Sequence, residues 1–157
     1  MPKQCRIATW NLNRPNPNSA AKNSARKEKL RRIDAHLWVL TETHSCIEIE
    51  GFASLPSVPE TGYHRAGESY ATIWSHWPIV SNVPTFSPNF AVCAEVHSPF
   101  GPMLMYGSII TYAMDGVHNN GARRWERHRE SIRHHRKDWV ELRRKFPEHH
   151  LPRSDAG

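Results

Sequence analysis

The stretch from Asp34 to His44, DAHLWVLTETH, decides how this 157-residue chain folds. Its apolar run from Leu37 to Leu40 is followed, after one residue, by a single carboxylate, Glu42. Continuous apolar runs are typical of strands covered on both faces of an α/β sheet, and such sheets place functional groups just beyond their strand ends. The pattern predicts a buried strand that presents Glu42 at the rim. The alternative is a solvated loop carboxylate after a core strand.

A second apolar segment, RIATWNL from Arg6 to Leu12, contains Asn11, whose amide oxygen can bind a cation. The intervening residues, Ser19 to Ile33, have the pattern of the crossover helix that a parallel strand pair requires. We therefore expect Asn11 and Glu42 at neighbouring strand ends. The helix is strongly basic, and the side chains expected to face the sheet are Ala21, Ala25, Leu30 and Ile33.

The rest of the chain alternates between strand patterns and loops. Residues 45–67 are irregular, and alternation from Ser69 to Val80 predicts one long strand. A hairpin is expected from strands at Phe90 to His97 and Met103 to Thr111, separated by a turn rich in proline and glycine. Apolar residues spaced by three, four and seven predict a long helix over residues 123–146.

Composition limits the class of protein. The chain has 21 Lys and Arg against 15 Asp and Glu, a net charge of +6, which favours anionic partners such as nucleic acid or phosphorylated substrates. Three widely spaced cysteines indicate neither a disulfide framework nor a metal site. The N-terminus lacks the apolar core of a signal peptide, and no apolar run could cross a bilayer. We expect a cytoplasmic protein without a membrane partner.

Several motifs resemble the endonuclease/exonuclease/phosphatase (DNase I-like) superfamily. They are TWNL at Thr9 to Leu12, then Asp34 with LTE at Leu40 to Glu42, and SHWPI at Ser75 to Ile79. The resemblance implies an α/β fold, a DNase I-like layered sandwich. We expect it to be incomplete, one mixed sheet with helices 19–33 and 123–146 on its outer face. Residues 1–151 would form the N-terminal portion of a family domain, and residues 152–157 a tail without family character.

The same resemblance implies a function and a site. It implies a hydrolase that depends on Mg²⁺ or Mn²⁺ and acts on a phosphate-containing substrate. By match to the family motifs, Asn11 and Glu42 would be catalytic residues and metal ligands, Tyr112 a catalytic group on the phosphate side, and Arg124 a substrate-binding residue.

Other functions remain open from the sequence. The family motifs G-D-x-N and S-D-H have no counterpart here, so a truncated, catalytically inactive member is one alternative. A basic nucleic-acid-binding module that uses the helices around Arg26 and Arg133 is another. An incomplete sheet would leave an unpaired edge, which favours oligomerisation.

Two groups of side chains have an ordinary structural interpretation. Trp74 and Trp77 could stack on bases, but aromatic residues in strands more often belong to the core. The histidines near the C-terminus do not have zinc-site spacing, since adjacent helical residues point about 100° apart. They are His128, His134, His135, His149 and His150.

Overall fold

The computed structural model describes residues 4–118 and 121–147. These residues form seven strands and two helices in the order β1 (Ile7–Asn11), α1 (Ala20–Ile33), β2 (Leu37–His44), β3 (Ala53–Pro56), β4 (Glu68–Ser75), β5 (Ile79–Val83), β6 (Ala91–Ser98), β7 (Gly101–Ser108) and α2 (Glu126–Lys145). The expected crossover helix, hairpin strands and long helix are confirmed within a few residues at their ends.

The first sheet is mixed, with strand order β1-β2-β4-β3. Strands β1 and β2 are parallel, as expected, whereas β2 and β4 and then β4 and β3 are antiparallel. All eight residues of β4 are buried, so this strand lies in the middle of the molecule.

The apolar run of β2 is buried on both faces because each face meets a different layer. Trp38 and Leu40 pack with Leu30 of α1 in one apolar cluster. Leu37 belongs to a second cluster that joins the first sheet to residues of β6 and β7. A Cβ atom at Gly107 of β7 would lie only 3.0 Å from a methyl carbon of Val39, so glycine lets the two sheets approach closely.

The second sheet is antiparallel, with strand order β5-β6-β7, and α2 packs on it. The Tyr106 hydroxyl of β7 donates to Asp138 of α2 at 2.7 Å and lies 2.9 Å from Nδ1 of His135. The layered α/β sandwich is thus confirmed. The expectation of one mixed sheet with both helices on its outer face is wrong in two respects. The structure has a second, antiparallel sheet, and α2 packs on that sheet and not on the mixed one.

The prediction of one strand from Ser69 to Val80 is wrong. The chain turns after Ser75, whose Oγ accepts from the backbone N–H of Trp77 at 3.0 Å and donates to its carbonyl at 2.6 Å. Pro78 follows and cannot donate to a sheet ladder. The segment therefore crosses from the first sheet to the second. Trp74 is a core residue, and Trp77 stacks on His36 with ring centroids 5.1 Å apart.

The predicted buried face of α1 is only partly right. Leu30 is buried, but Ala21, Ala25 and Ile33 are exposed. Asn23 is buried in their place, because its amide donates to the Asn16 carbonyl at 2.8 Å. The buried side of α1 therefore includes a polar side chain that hydrophobicity alone would not place there.

The remaining expectations concern the irregular segment, the cysteines, membrane spans and the C-terminal tail. The irregular residues 45–67 contain the short edge strand β3. Cys5, Cys46 and Cys93 are free thiols. Neither helix, within the part of the chain that the structure describes, is long and apolar enough to cross a membrane. The predicted tail at residues 152–157 lies outside the described residues.

Candidate active site at the ends of the parallel strands

The parallel pair brings Asn11, the last residue of β1, next to Glu42, which lies within β2 two residues before that strand ends at His44. Asn11 pairs with Thr41, the residue directly before Glu42. The carboxyl ends of parallel strands are where α/β sheets place their ligand sites. The expected juxtaposition is therefore present, while the roles of the two residues stay a prediction.

The loop that follows β1 is tied to the end of β2. Asn11 Oδ1 accepts a hydrogen bond from the backbone N–H of Asn13 at 2.8 Å, and the backbone N–H of Arg14 donates to the Glu42 carbonyl at 2.9 Å. Pro15, which is fully buried, anchors the next residue. These contacts fix the path of the chain directly above the strand ends.

Backbone strain is concentrated at this point. Asn13, Arg14 and Glu42 have φ angles of 54°, 46° and 49°, in the left-handed region that residues with a side chain rarely adopt. Arg14 also precedes a proline, which disfavours helical backbone conformations at that residue. Such strain costs of order 1–3 kcal/mol per residue and is concentrated in functional sites, where the surrounding structure enforces it.

The Glu42 side chain is half-buried. Among the residues that the structure describes, none makes a hydrogen bond or an ion pair with its carboxylate. Half-buried charges are normally paired, because an unpaired one sacrifices hydration without compensation. Glu42 is therefore suited to bind a group from outside the chain.

An aromatic cluster holds Arg14, the cation whose charge interacts with Glu42. The Arg14 guanidinium donates to the Tyr63 hydroxyl, and its central carbon lies 4.5 Å from the centre of the Tyr63 ring. Tyr63 in turn stacks on Tyr70, which stacks on Phe90 with ring centroids 5.0 Å apart. This cluster joins the loop above β1 to both sheets.

The cluster alters the protonation of its members. Partial burial opposes the charge of Arg14, but the Tyr63 hydroxyl and the charges of Tyr63, Glu42 and Tyr70 outweigh it and raise the pKa of Arg14. Burial, together with a hydrogen bond to Glu60, raises the pKa of Tyr70. Burial and the neighbouring Arg14 charge lower the pKa of His64. Arg14 is thus a fixed cation within the field of Glu42.

The sequence did not single out Arg14 and Tyr63. Arg14 stood in a turn-rich loop and Tyr63 in an irregular segment. The positions are 49 residues apart, so only the fold brings them together. An arginine three residues after the strand that ends in Asn11 was the one available signal.

Tyr112 and Arg124 lie at the same end of the sandwich. The backbone N–H of Ile109 donates to the Phe90 carbonyl, which places the exit of β7 beside the aromatic cluster. Tyr112 is 69% exposed, and Arg124 is also exposed. No hydrogen bond or ion pair joins either side chain to the described residues, so their catalytic and substrate-binding roles stay predictions.

A second polar constellation lies under α2. His135 Nε2 lies 2.8 Å from the Ile109 carbonyl and 3.3 Å from Ser131 Oγ. Because a carbonyl can only accept, Nε2 carries the proton. His135 is 1% exposed, so no substrate can reach it. Within residues 4–118 and 121–147, no three His, Cys, Asp or Glu side chains form a group that could hold a metal; His149 and His150 lie outside that part.

Comparison with known proteins identifies the fold. No family model matches the chain, and no curated protein matches its sequence. The endonuclease domain of TRAS1, a telomere-specific non-LTR retrotransposon, matches with a TM-score of 0.54 at 16% identity, over 90% of this chain and 54% of that chain. Humanized D. rerio TDP2 matches with a TM-score of 0.57 at 10% identity, over 92% of this chain and 56% of that chain.

Sphingomyelinase C from Streptomyces griseocarneus matches with a TM-score of 0.54 at 11% identity, over 90% of this chain and 59% of that chain. The architecture is therefore a DNase I-like layered α/β sandwich, and the fold that the sequence resemblance implied is confirmed. This chain spans a little more than half of the length of the structures it matches.

Proposed function

We propose that this chain is a divalent-metal-dependent phosphoester hydrolase whose site lies at Asn11 and Glu42. The observation that carries the proposal is the Glu42 carboxylate, which is half-buried, unpaired among the described residues and held on strained backbone at the end of a parallel strand. The fold supports it, because solved structures named as an endonuclease domain and as a sphingomyelinase share the architecture.

The donor set fits Mg²⁺ or Mn²⁺. Mg²⁺ binds oxygen ligands, typically one or two carboxylates, and keeps several waters. Glu42 offers a free carboxylate, and Asn11 Oδ1 uses one of its two lone pairs for the Asn13 N–H and keeps the other. Such an ion would neutralise charge that develops on a phosphoryl oxygen. Asn11 and Glu42 would hold it, and the neighbouring rigid loop would exclude bulk water on one side.

Tyr112 and Arg124 enter the proposal as substrate-side groups. Both are exposed at the end of the sandwich that carries Glu42, where a bound phosphoester would extend. Tyr112 could donate its hydroxyl proton to a phosphoryl oxygen, and Arg124 offers a charge to a more distant phosphate.

The test is metal-dependent nicking of supercoiled plasmid by purified monodisperse protein. We expect nicking with Mg²⁺, none with EDTA, and a rate at least about 100-fold lower in Glu42→Ala, since a ligand to a catalytic charge is worth several kcal/mol in the transition state. Glu28→Ala removes an exposed carboxylate from α1 and serves as the matched control. Nicking that is equal in Glu42→Ala and Glu28→Ala would rule out the proposed site.

A basic nucleic-acid-binding module without hydrolysis is the second candidate. The exposed surface of α2 favours it, because it carries seven cations, namely Arg129, Arg133, Arg136, Lys137, Arg143, Arg144 and Lys145. Arg26 of α1 contributes less, since it is half-buried and donates to Asn23 at 3.0 Å. Binding without nicking, weakened by Arg133→Glu and steeply by salt, would favour this candidate.

A further inference from the structure

The Arg14 guanidinium is held in place beside Glu42. Its backbone is fixed by the hydrogen bond to the Glu42 carbonyl at 2.9 Å, and its side chain by the Tyr63 hydroxyl and ring. A long side chain held at both ends loses little conformational freedom when it binds a ligand, so each new hydrogen bond adds more to affinity.

Tyr63 is itself supported from behind. Its ring stacks on Tyr70 at a centroid distance of 5.6 Å, and the Tyr70 hydroxyl donates to Glu60 at 2.9 Å. The backbone N–H of Glu60 also donates to His64 Nδ1 at 2.7 Å, which ties the residues on either side of Tyr63 together. The position of the guanidinium is therefore set by a platform of stacked Tyr63 and Tyr70 rings, of which Tyr63 is 49% exposed.

Most of the guanidinium donors remain open. Arginine has five N–H donors in a planar fork, and within the described residues the only acceptor for them is the Tyr63 hydroxyl. No ion pair joins Arg14 to Glu42 in that same part of the chain, although the two charges lie close enough to interact. The guanidinium therefore keeps open donors that a ligand near Glu42 can engage.

We propose that Arg14 binds a phosphodiester oxygen of a nucleic-acid substrate next to Glu42, and that Tyr63 is its positioning residue. This inference rests on the proposed function for the identity of the reacting group. Guanidinium forks match the geometry of phosphate oxygens in paired hydrogen bonds. The net charge of +6 favours a polyanion over a single small phosphate.

The test is binding of a short fluorescein-labelled DNA duplex in EDTA, followed by fluorescence anisotropy over a series of salt concentrations. We expect Arg14→Ala to weaken affinity by about 10-fold or more, the range for lost hydrogen bonds to charged groups, and to lower the salt slope by about one. Arg14→Lys should fall between wild type and Arg14→Ala, because lysine keeps the charge but not the fork.

Arg32→Ala is the matched control, since it removes one exposed cation from α1, away from Glu42. We expect it to change affinity less than about 2-fold. Tyr63→Phe keeps the ring and removes only the hydroxyl, and it should weaken binding by about 2- to 5-fold, the range for one ordinary hydrogen bond. In an Arg14→Ala background Tyr63→Phe should have no further effect, which a general structural role would not produce.

Each outcome separates this inference from the proposed function. Equal affinities and slopes for Arg14→Ala and Arg32→Ala would overturn it, even if plasmid nicking depends on Glu42. Absence of DNA binding by the wild type would overturn it as well. Loss of binding in Arg14→Ala, with circular dichroism and melting unchanged, would support it even if no nicking occurs. Should Arg14→Ala fail to fold, Arg14→Lys decides by the same comparison.

Discussion

The Glu42 strand end and the contact between α2 and the second sheet each contain a carboxyl group, and the two groups differ in every contact. Asp138 is buried and accepts hydrogen bonds from the Phe86 N–H and the Tyr106 hydroxyl, both at 2.7 Å. Glu42 is half-buried and has no such partner among the described residues. A carboxyl group whose oxygens are already bonded holds the scaffold together, whereas an open one is available to a ligand.

Three polar side chains of α2 also resemble a catalytic group although they belong to the scaffold. Ser131, His135 and Asp138 lie on one face of the helix and together resemble a nucleophile, base and orienting acid. Burial and complete bonding show that the group fastens α2 to the sheet. Apolar side chains of the same helix, such as Val140, point to solvent. Buried polar contacts therefore attach the helix where an apolar face would be expected, together with the aromatic contact of Trp139.

The largest effect is expected at Asp138. Asp138→Ala leaves two buried donors without acceptors, which costs about 1–3 kcal/mol each, so we expect a loss of about 3 kcal/mol or more in unfolding free energy. Urea denaturation measures it. Glu141→Ala, an exposed carboxylate bonded to Arg144 on the same helix, is the control and should leave the unfolding free energy unchanged. Equal stability of the two variants would contradict the scaffold role.

A smaller effect is expected at Tyr106. Burial, and then its bond to Asp138, raise the pKa of the Tyr106 hydroxyl. The folded state thus keeps its proton at pH values where the unfolded chain, with a pKa of about 10, has lost it. The contribution of the Tyr106 hydroxyl to the free energy of unfolding is complete below about pH 10 and is lost as the pH rises further. Tyr106→Phe should cost about 1–2 kcal/mol at neutral pH.

Wild type and Tyr106→Phe should also differ in how their melting temperatures change at alkaline pH. Melting temperatures between neutral pH and pH values above about 10 should fall more steeply for wild type than for Tyr106→Phe. Tyr112→Phe changes an exposed hydroxyl and is the control. Parallel decline in wild type and Tyr106→Phe would show that Tyr106 does not couple α2 to the sheet.

At Glu42 we expect glycine to give a more stable variant than alanine, because the backbone there is strained. Its backbone is left-handed with a φ angle of 49°, a conformation that glycine adopts without strain. We expect Glu42→Gly to be more stable than Glu42→Ala by about 1 kcal/mol, because alanine keeps the strain. Both variants lack the carboxylate and should be equally inactive in the nicking assay. A glycine variant less stable than the alanine variant would argue against strain at this site.

The smallest effect is expected at Val140, which is 61% exposed on α2. Val140→Ser should change the unfolding free energy by no more than about 0.5 kcal/mol, as is usual for surface substitutions. Thermal melting of this variant beside Asp138→Ala compares the apolar and polar sides of one helix. A loss as large as that of Asp138→Ala would mean that the apolar side is also packed.

Much of the fold could be predicted because it follows from local patterns. The apolar run from Leu37 to Leu40 requires two covering layers, and the helical segment before it requires a parallel neighbour. Together they place Asn11 next to the residue before Glu42. The break after Ser75 escaped prediction, because alternation continues through Trp77 and only the side-chain bonds of Ser75 and the following Pro78 divert the chain.

The helix faces could be predicted less well. Hydrophobic periodicity assumes that apolar residues face inward, but Asn23 of α1 and Asp138 of α2 are buried and hydrogen-bond to residues outside their own helices. Asp138 binds the backbone of Phe86, 52 residues earlier. No local pattern contains that information, because burial of a polar group depends on whether the fold supplies its hydrogen bonds.

By itself the sequence determined the element types, the parallel pair and the place of Glu42 next to the end of β1, because these follow from side-chain periodicity and chain connectivity. The strand β2 continues to His44, so Glu42 lies within it and not beyond it as expected. Only the tertiary structure decided which polar groups are bonded and which are open. It left Glu42 without a partner among the described residues, set Arg14 beside it on the Tyr63 platform and closed the contacts of Asp138. Hydrogen bonds between distant residues form only when the layers are packed, so their pattern cannot be read from spacing along the chain.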